Sequence, residues 1–203
     1  MSASAWFVNL SIAVVLIVGG YQFYFLPQRR PLKDSAQFST ILDDKIQFTP
    51  QWVWIYSGLY YPVILSLILT IGSFEQFNLT AFNFLILLVV QLVFFFIFPV
   101  KTPPEWRDYE HDGSLSAKFL RFVHGYDAPS NCFPSMHVSV AMLTALHLSN
   151  NLEPTLGSWV AIFFLFPILI ALSALFTKQH YFVDLPAGAM LGYLCFLVND
   201  FLI

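Results

Sequence analysis

Charge is what this chain has least of. Only 10% of its 203 residues are Asp, Glu, Lys or Arg, where a water-soluble domain carries about a quarter. Nine Lys and Arg in all form no basic stripe of the kind that tracks a nucleic-acid backbone, so nucleic acid is excluded as a partner. Cysteine is scarce too. Cys132 precedes one apolar run and Cys195 lies deep inside another, so no disulfide framework is expected and no redox compartment is implied. The twelve prolines are spread along the chain, which argues against low-complexity structure. The net charge of −3 says little, because here the placement of charge matters more than its sum.

Apolar residues make up 58% of the sequence and the mean hydropathy is +0.69, values that belong to integral membrane proteins. A membrane span needs about 20 mostly apolar residues. Six stretches are candidates: residues 5–26, 52–72, 80–100, 135–149, 157–176 and 181–203. The fourth is short and carries His137 and His147. The first has neither a basic start nor a small-residue cleavage site and is too long for a signal-peptide core, so it reads as a mature helix. Trp6, Trp52, Trp54 and Trp159 fall at span ends, as an interfacial aromatic belt requires. The expected fold is therefore all-α: one membrane-embedded domain over residues 1–203, built as a bundle of six transmembrane helices.

The connections are unequal. Residues 73–79 and 150–156 are short; residues 27–51 and 101–134 are long. With six spans, both long connections and the turn at 177–180 lie on one side of the membrane, and the short ones lie on the other with the termini. The long connections each hold an amphipathic stretch. Phe38, Ile41, Leu42 and Ile46 recur at helical spacing around Asp43, Asp44 and Lys45; Leu115, Phe119, Phe122 and Val123 do so opposite Lys118 and Arg121, with Gly125 as the stop. They read either as short interfacial helices or as packed loop segments. All nine Lys and Arg fall on this elaborated face, which the positive-inside rule makes cytoplasmic.

Two polar segments interrupt the apolar sequence on that face: Asn131-Cys132-Phe133-Pro134-Ser135-Met136-His137, and Thr177-Lys178-Gln179-His180-Tyr181-Phe182-Val183-Asp184. Ionisable groups at the edge of a membrane are costly and mark function by default. His180 and Asp184 are one turn apart, so on a helix they share a face. A carboxylate there fixes the imidazole tautomer and leaves the other nitrogen as nucleophile or base; the bland alternative is a polar pair capping the bundle. Gly188 and Gly192 continue the stripe and suit close helix packing. Pro134-Ser135 reads as a helix start, whose free N–H groups suit a phosphate. Ser135 adds a hydroxyl, and His137 in the first turn is placed to give a proton to a leaving oxygen. Lys178, Lys101 and Arg107 are candidate cations for phosphate oxygens, though Lys101 and Arg107 serve equally well as interfacial anchors. His111, His124 and His147 lack such context. His137, His180 and Asp184 also make a two-His, one-carboxylate set, but no short ligand spacing supports a metal, and no cofactor is expected.

These two segments resemble the second and third signatures of the type 2 phosphatidic acid phosphatase (PAP2) superfamily, in the manner of its inositol phosphorylceramide synthase-like branch. The resemblance covers roughly residues 98–192, and the six-span plan agrees with it. It implies a fold of the PAP2 and vanadium haloperoxidase type and a metal-independent mechanism. His180, oriented by Asp184, attacks phosphorus to form a phosphohistidine. His137 protonates the leaving group and then activates water or a second alcohol. Ser135 and the Met136 backbone hold phosphate oxygens. Three departures stand out. Met136 replaces the glycine before the histidine of the second signature. Ala174 stands where the third signature has an arginine, with Lys178 a possible substitute for its charge. Lys101 and Arg107 are six apart rather than seven, with Asp108 where proline is usual. The function implied is hydrolysis of a lipid phosphomonoester or pyrophosphate. The alternatives are transfer of a phospho-headgroup to an alcohol such as ceramide, diacylglycerol or an inositol lipid, and a non-catalytic membrane scaffold.

Overall fold

A computed structural model describes residues 3–198 of the chain. Its long first helix, α1 (Ala3–Arg29), is followed by a single turn, α2 (Ile41–Lys45). A continuous helical run, Pro50–Thr70, comes next. It opens as a 3-10 turn, passes through a π-helical stretch at Trp54–Leu59 and contains α3 (Tyr60–Ser66). Then come α4 (Phe74–Ile97), α5 (Leu115–Tyr126), α6 (Met136–Leu156), α7 (Leu165–Phe176) and α8 (Asp184–Leu197). Among the described residues there is no strand, only an isolated bridge between Ala36 and Val100 that ties the two long loops together.

Among the described residues four runs are long and apolar enough to cross a membrane: Trp6–Arg29, Pro50–Thr70, Phe74–Ile97 and Met136–Phe176. α8 is apolar but shorter, and the last five residues of the stretch expected at 181–203 lie outside the described residues. The 41-residue run is not one rod. Gly157, at φ 54°, ends α6, and Ser149 Oγ donates back to the Val160 carbonyl at 3.3 Å. The 3-10 segment Gly157–Phe164 and α7 then pack along α6. The chain has doubled back, because the rings of His137 and His180, near opposite ends of the run, lie 6.3 Å apart. Outward residues such as Val15, Leu69 and Trp159 are exposed apolar groups, as on a lipid-facing surface.

Several expected boundaries move, each for a local reason. α4 begins at Phe74 rather than at 80, because Ser73 caps it by accepting the Gln76 N–H at 3.0 Å; most of the expected 73–79 loop is helix. α6 runs through the expected 150–156 loop to Leu156, because the turn is made by Gly157. Gly125 does not stop α5, which continues to Tyr126. In α2 the expected polar face is inverted. Ile41 and Leu42 are exposed while Asp43 is 1% exposed, because Asp43 closes a capping box with Thr40 and then reaches the protein interior.

α6 is the hub, packed against α4, α7, α8 and the Pro50–Thr70 run. Its contact with α8 is the closest. A Cβ added at Gly188 would overlap the Ser135 carbonyl oxygen, and one at Gly192 the Ser139 carbonyl oxygen. Only hydrogen fits at these two positions, so the α6 and α8 backbones touch. Gly192→Leu is expected to destabilise the detergent-solubilised protein by about 1–3 kcal/mol. Gly125→Ala, where a Cβ meets nothing within 4 Å, is expected to leave stability unchanged or raised by up to about 1 kcal/mol. Equal melting temperatures for the two variants would contradict the close crossing.

Candidate active site

Ser135 is the N-cap of α6. Its Oγ accepts the Val138 N–H at 3.4 Å, and its own N–H donates to the Asp184 carbonyl at 3.0 Å. The starts of α6 and α8 are thereby joined. From α4, the buried Gln91 amide donates to the Pro134 carbonyl, while its Oε1 accepts from Ser139 Oγ at 3.3 Å. The first-turn N–H groups of Met136 and His137 have no intrahelical acceptor by position.

The second segment leaves α7 through a Schellman-type end. The Lys178 N–H bonds to the Leu175 carbonyl and the Gln179 N–H to the Ala174 carbonyl, at 3.0 and 2.9 Å, with Lys178 left-handed at φ 57°. A position that usually takes glycine holds lysine here. His180 therefore lies in a turn ahead of α8 and not on it. The expected shared helix face is replaced by a tighter arrangement. His180 Nδ1 is 2.9 Å from the Cys132 carbonyl oxygen and 3.2 Å from Asp184 Oδ2, and that same Oδ2 accepts the Tyr181 N–H at 2.8 Å. Both neighbours of Nδ1 are acceptors, so Nδ1 carries the proton and Nε2 keeps its lone pair.

His137 faces this ring at 6.3 Å between centroids. Tyr56, on the π-helical stretch, reaches His137 Nδ1 with its hydroxyl at 3.1 Å and stacks on the ring at 4.3 Å; Tyr60 lies at 4.8 Å. The local under-winding at Trp54–Leu59 is the kind of irregularity that concentrates at functional sites. His137, His180, Asp184, Ser135 and Met136 are thus brought together at one end of the bundle.

The three candidate cations diverge. Arg107 Nη1 donates to the Asp127 carbonyl at 2.7 Å, and its Nε is buried without a partner. Lys178 Nζ donates to the Asp43 carbonyl at 2.6 Å and lies 4.6 Å over the Trp106 ring. Burial lowers its ammonium pKa, opposed by Asp43 and Asp44. The side chain of Lys101 is exposed, while its carbonyl accepts from the Tyr181 hydroxyl at 2.8 Å. Ala174, where the third signature would carry arginine, is buried in the core with no room for one.

Four residues enter that the sequence did not single out for the site. Asp43 Oδ1 accepts the Phe182 N–H at 2.7 Å, so α2 staples the His180 turn; the Thr40-x-x-Asp43 capping pattern was its one visible signal. Asp127 accepts from Gln28 Nε2 at 2.7 Å and Tyr24 Oη at 3.1 Å. Burial raises its carboxyl pKa, against the Gln28 hydrogen bond and the charge of Arg107. His124 contacts Gln179 and bonds through Nδ1 to the Tyr109 hydroxyl at 2.7 Å. Burial, then the charge of Arg107, takes its pKa down to about 3, so it is a neutral spacer. Tyr56 carries no sequence signal at all.

A cavity of about 670 Å³ has His137, Met136 and Asp127 among its lining residues and runs between α1, the Pro50–Thr70 run, α4 and α5. Its walls are almost wholly apolar and aromatic. Cys132, His180 and Asp184 also place one ligand atom each within 4.8 Å of one another. They suit a metal poorly. The buried Cys132 thiol points at the Pro129 and Gln179 carbonyls, and burial, with the nearby carboxylates, holds its pKa well above the usual value.

A sequence profile of the PAP2 superfamily matches residues 22–198, so the chain belongs to that superfamily. No curated protein and no solved structure matches it.

The staple from α2 makes a direct prediction. Asp43→Ala removes the acceptor of the Phe182 N–H, and hydrogen exchange at the Tyr181–Phe182 amides should accelerate about tenfold or more. Unchanged exchange there would show that the turn holds its shape without Asp43.

Proposed function

We propose that the protein is a membrane-embedded lipid phosphate phosphatase working through a phosphohistidine on His180. Superfamily membership supports phosphatase-type chemistry. The observation that carries the finer reading is the pairing of His180 with its Asp184 and Cys132 acceptors beside His137, which in turn lines an apolar cavity. In this reading His180 Nε2 attacks phosphorus, the bond to the lipid alcohol breaks, and His137 passes a proton to the departing oxygen. Water then enters, His137 takes its proton, and the P–N bond breaks to release inorganic phosphate. Asp184 holds the His180 tautomer and offsets the positive charge the ring gains. Ser135 Oγ, the Met136 N–H and the Arg107 guanidinium, with its unpartnered Nε, would hold phosphate oxygens. Lys178, tied to the Asp43 carbonyl, and Lys101, turned outward, would act at longer range. No step calls for a metal.

Six passes make the best membrane placement. The Met136–Phe176 run folds into two antiparallel segments, and α8 supplies the sixth, which puts both polar segments and both long loops on one face. Exposed Ile41, Leu42, Leu115 and Phe122 suit α2 and α5 to lie in the headgroup layer. The concentration of Lys and Arg on that face supports a cytoplasmic placement. Glu110→Cys places a thiol at an exposed position of the same face. In intact cells an impermeant thiol reagent should leave it unlabelled until the membrane is opened; ready labelling would reverse the assignment.

Purified protein given a phosphatidic acid-type substrate should release inorganic phosphate with no alcohol acceptor present. Turnover only when diacylglycerol, ceramide or inositol is added would replace the hydrolase with the phosphotransferase. His180→Ala should fall to the background rate while keeping its fold, and His137→Ala should lose about 10²–10⁴-fold in kcat. Phosphate release that survives His180→Ala would defeat the phosphohistidine route.

A further inference from the structure

The cavity beside His137 is built for the alcohol half of the substrate and not for its phosphate. No Lys or Arg lines it. Apart from tyrosines, its ionisable wall groups among the described residues are His137 and Asp127. A carboxylate on that wall repels phosphate and must be answered by a hydrogen-bond donor.

Asp127 is half answered. Oδ1 accepts from Gln28 Nε2 at 2.7 Å and from Tyr24 Oη at 3.1 Å, both from α1, while Oδ2 has only the same Tyr24 hydroxyl at 3.4 Å. Arg107 acts on the carboxylate through its charge but forms no close ion pair with it among the described residues. Its guanidinium bonds the Asp127 backbone carbonyl, and the ion pair within 4 Å among the described residues is His180 with Asp184. Asp127, one of whose carboxylate oxygens has spare acceptor capacity, thus lies on the wall of the apolar chamber that His137 also lines. The α1 clamp fixes its direction.

We propose that Asp127 is the specificity-determining residue of this site. Oδ2 accepts a hydrogen bond from a hydroxyl or amine on the lipid backbone, close to the phosphoester, while the hydrocarbon chain fills the cavity. The favoured substrates are then single-chain lipid phosphates that keep a free donor next to the ester, over lipids in which that position is acylated. The inference rests on the lipid phosphate reading, and binding separates the two.

Three non-hydrolysable monoacyl phosphonates provide the test: one with a free 2-hydroxyl, its 2-deoxy analogue and its 2-O-methyl ether. Their dissociation constants are measured in detergent micelles with the whole protein. The hydroxyl ligand should bind about 10- to 100-fold more tightly than both others, the scale of a hydrogen bond to a charged acceptor. Asp127→Asn turns a donor toward the ligand and should bring all three within about threefold. Equal affinities in the native protein overturn the proposal, as does weakening of the ether alone, which is a steric effect, or no binding of any of the three. The native protein's ranking decides the matter even if the variant does not fold. If the ranking holds while no phosphate is released from the parent lipid, the phosphatase reading fails and the donor site stands.

Discussion

Everything at the polar end depends on how closely α6 and α8 approach. The Ser135 and Ser139 carbonyls occupy the space that side chains at 188 and 192 would need, so the two helices meet backbone to backbone. At that separation the Ser135 N–H reaches the Asp184 carbonyl. The first turn of one helix then registers the first turn of the other. His137, two residues past Ser135, and His180, four before Asp184, have little freedom left in where they lie. A bulkier contact between α6 and α8 would move both rings apart before it unfolded anything, because packed helices shift as rigid bodies.

A polar cluster at a membrane edge survives only if its groups find partners inside the protein. The two long loops supply them. Asp43 accepts the Phe182 N–H and, through its carbonyl, the Lys178 ammonium. The bridge from Ala36 to Val100 aligns the strap that follows α4, whose Val100 and Lys101 carbonyls accept from the Cys132 N–H and the Tyr181 hydroxyl. The histidine turn is held from outside by the two long loops. Its left-handed lysine at 178, a conformation an unbranched side chain adopts at a cost, is kept by these contacts. Rigidity of this kind places reacting groups ahead of substrate binding.

The same geometry separates two tasks. In the proposed reading Ser135, the α6 N-terminus and Arg107 would face the anion, whereas the walls beyond His137 are mostly apolar, with Asp127 and several tyrosines among them. In that reading a phosphoester straddling His137 would have its charged half among donors and its alcohol half among hydrocarbon, aromatic rings and one carboxylate. That division is also why a large apolar cavity and a polar cluster touch at one histidine without either disturbing the other.

Much of this was readable in the chain. Scarce charge and apolar runs of span length predicted membrane helices, since unpaired backbone is not tolerated in lipid. Ser135 ahead of an apolar run announced a cap, and the Gly188 and Gly192 spacing announced a close crossing. Both signals are local, carried by residues within a turn or two of one another. Tertiary structure alone decided the rest. Tyr56 meets His137 across 81 positions and Asp43 meets Phe182 across 139. Asp127 became a cavity wall only when α1 folded over it. Lys178, a candidate for the phosphate, has its ammonium on the Asp43 carbonyl of α2; His180 was expected on a helix, but α8 begins only at Asp184 and leaves it in a turn. Periodicity and capping are written in neighbouring residues, but the partners of a buried polar group are chosen by whichever distant segments close around it.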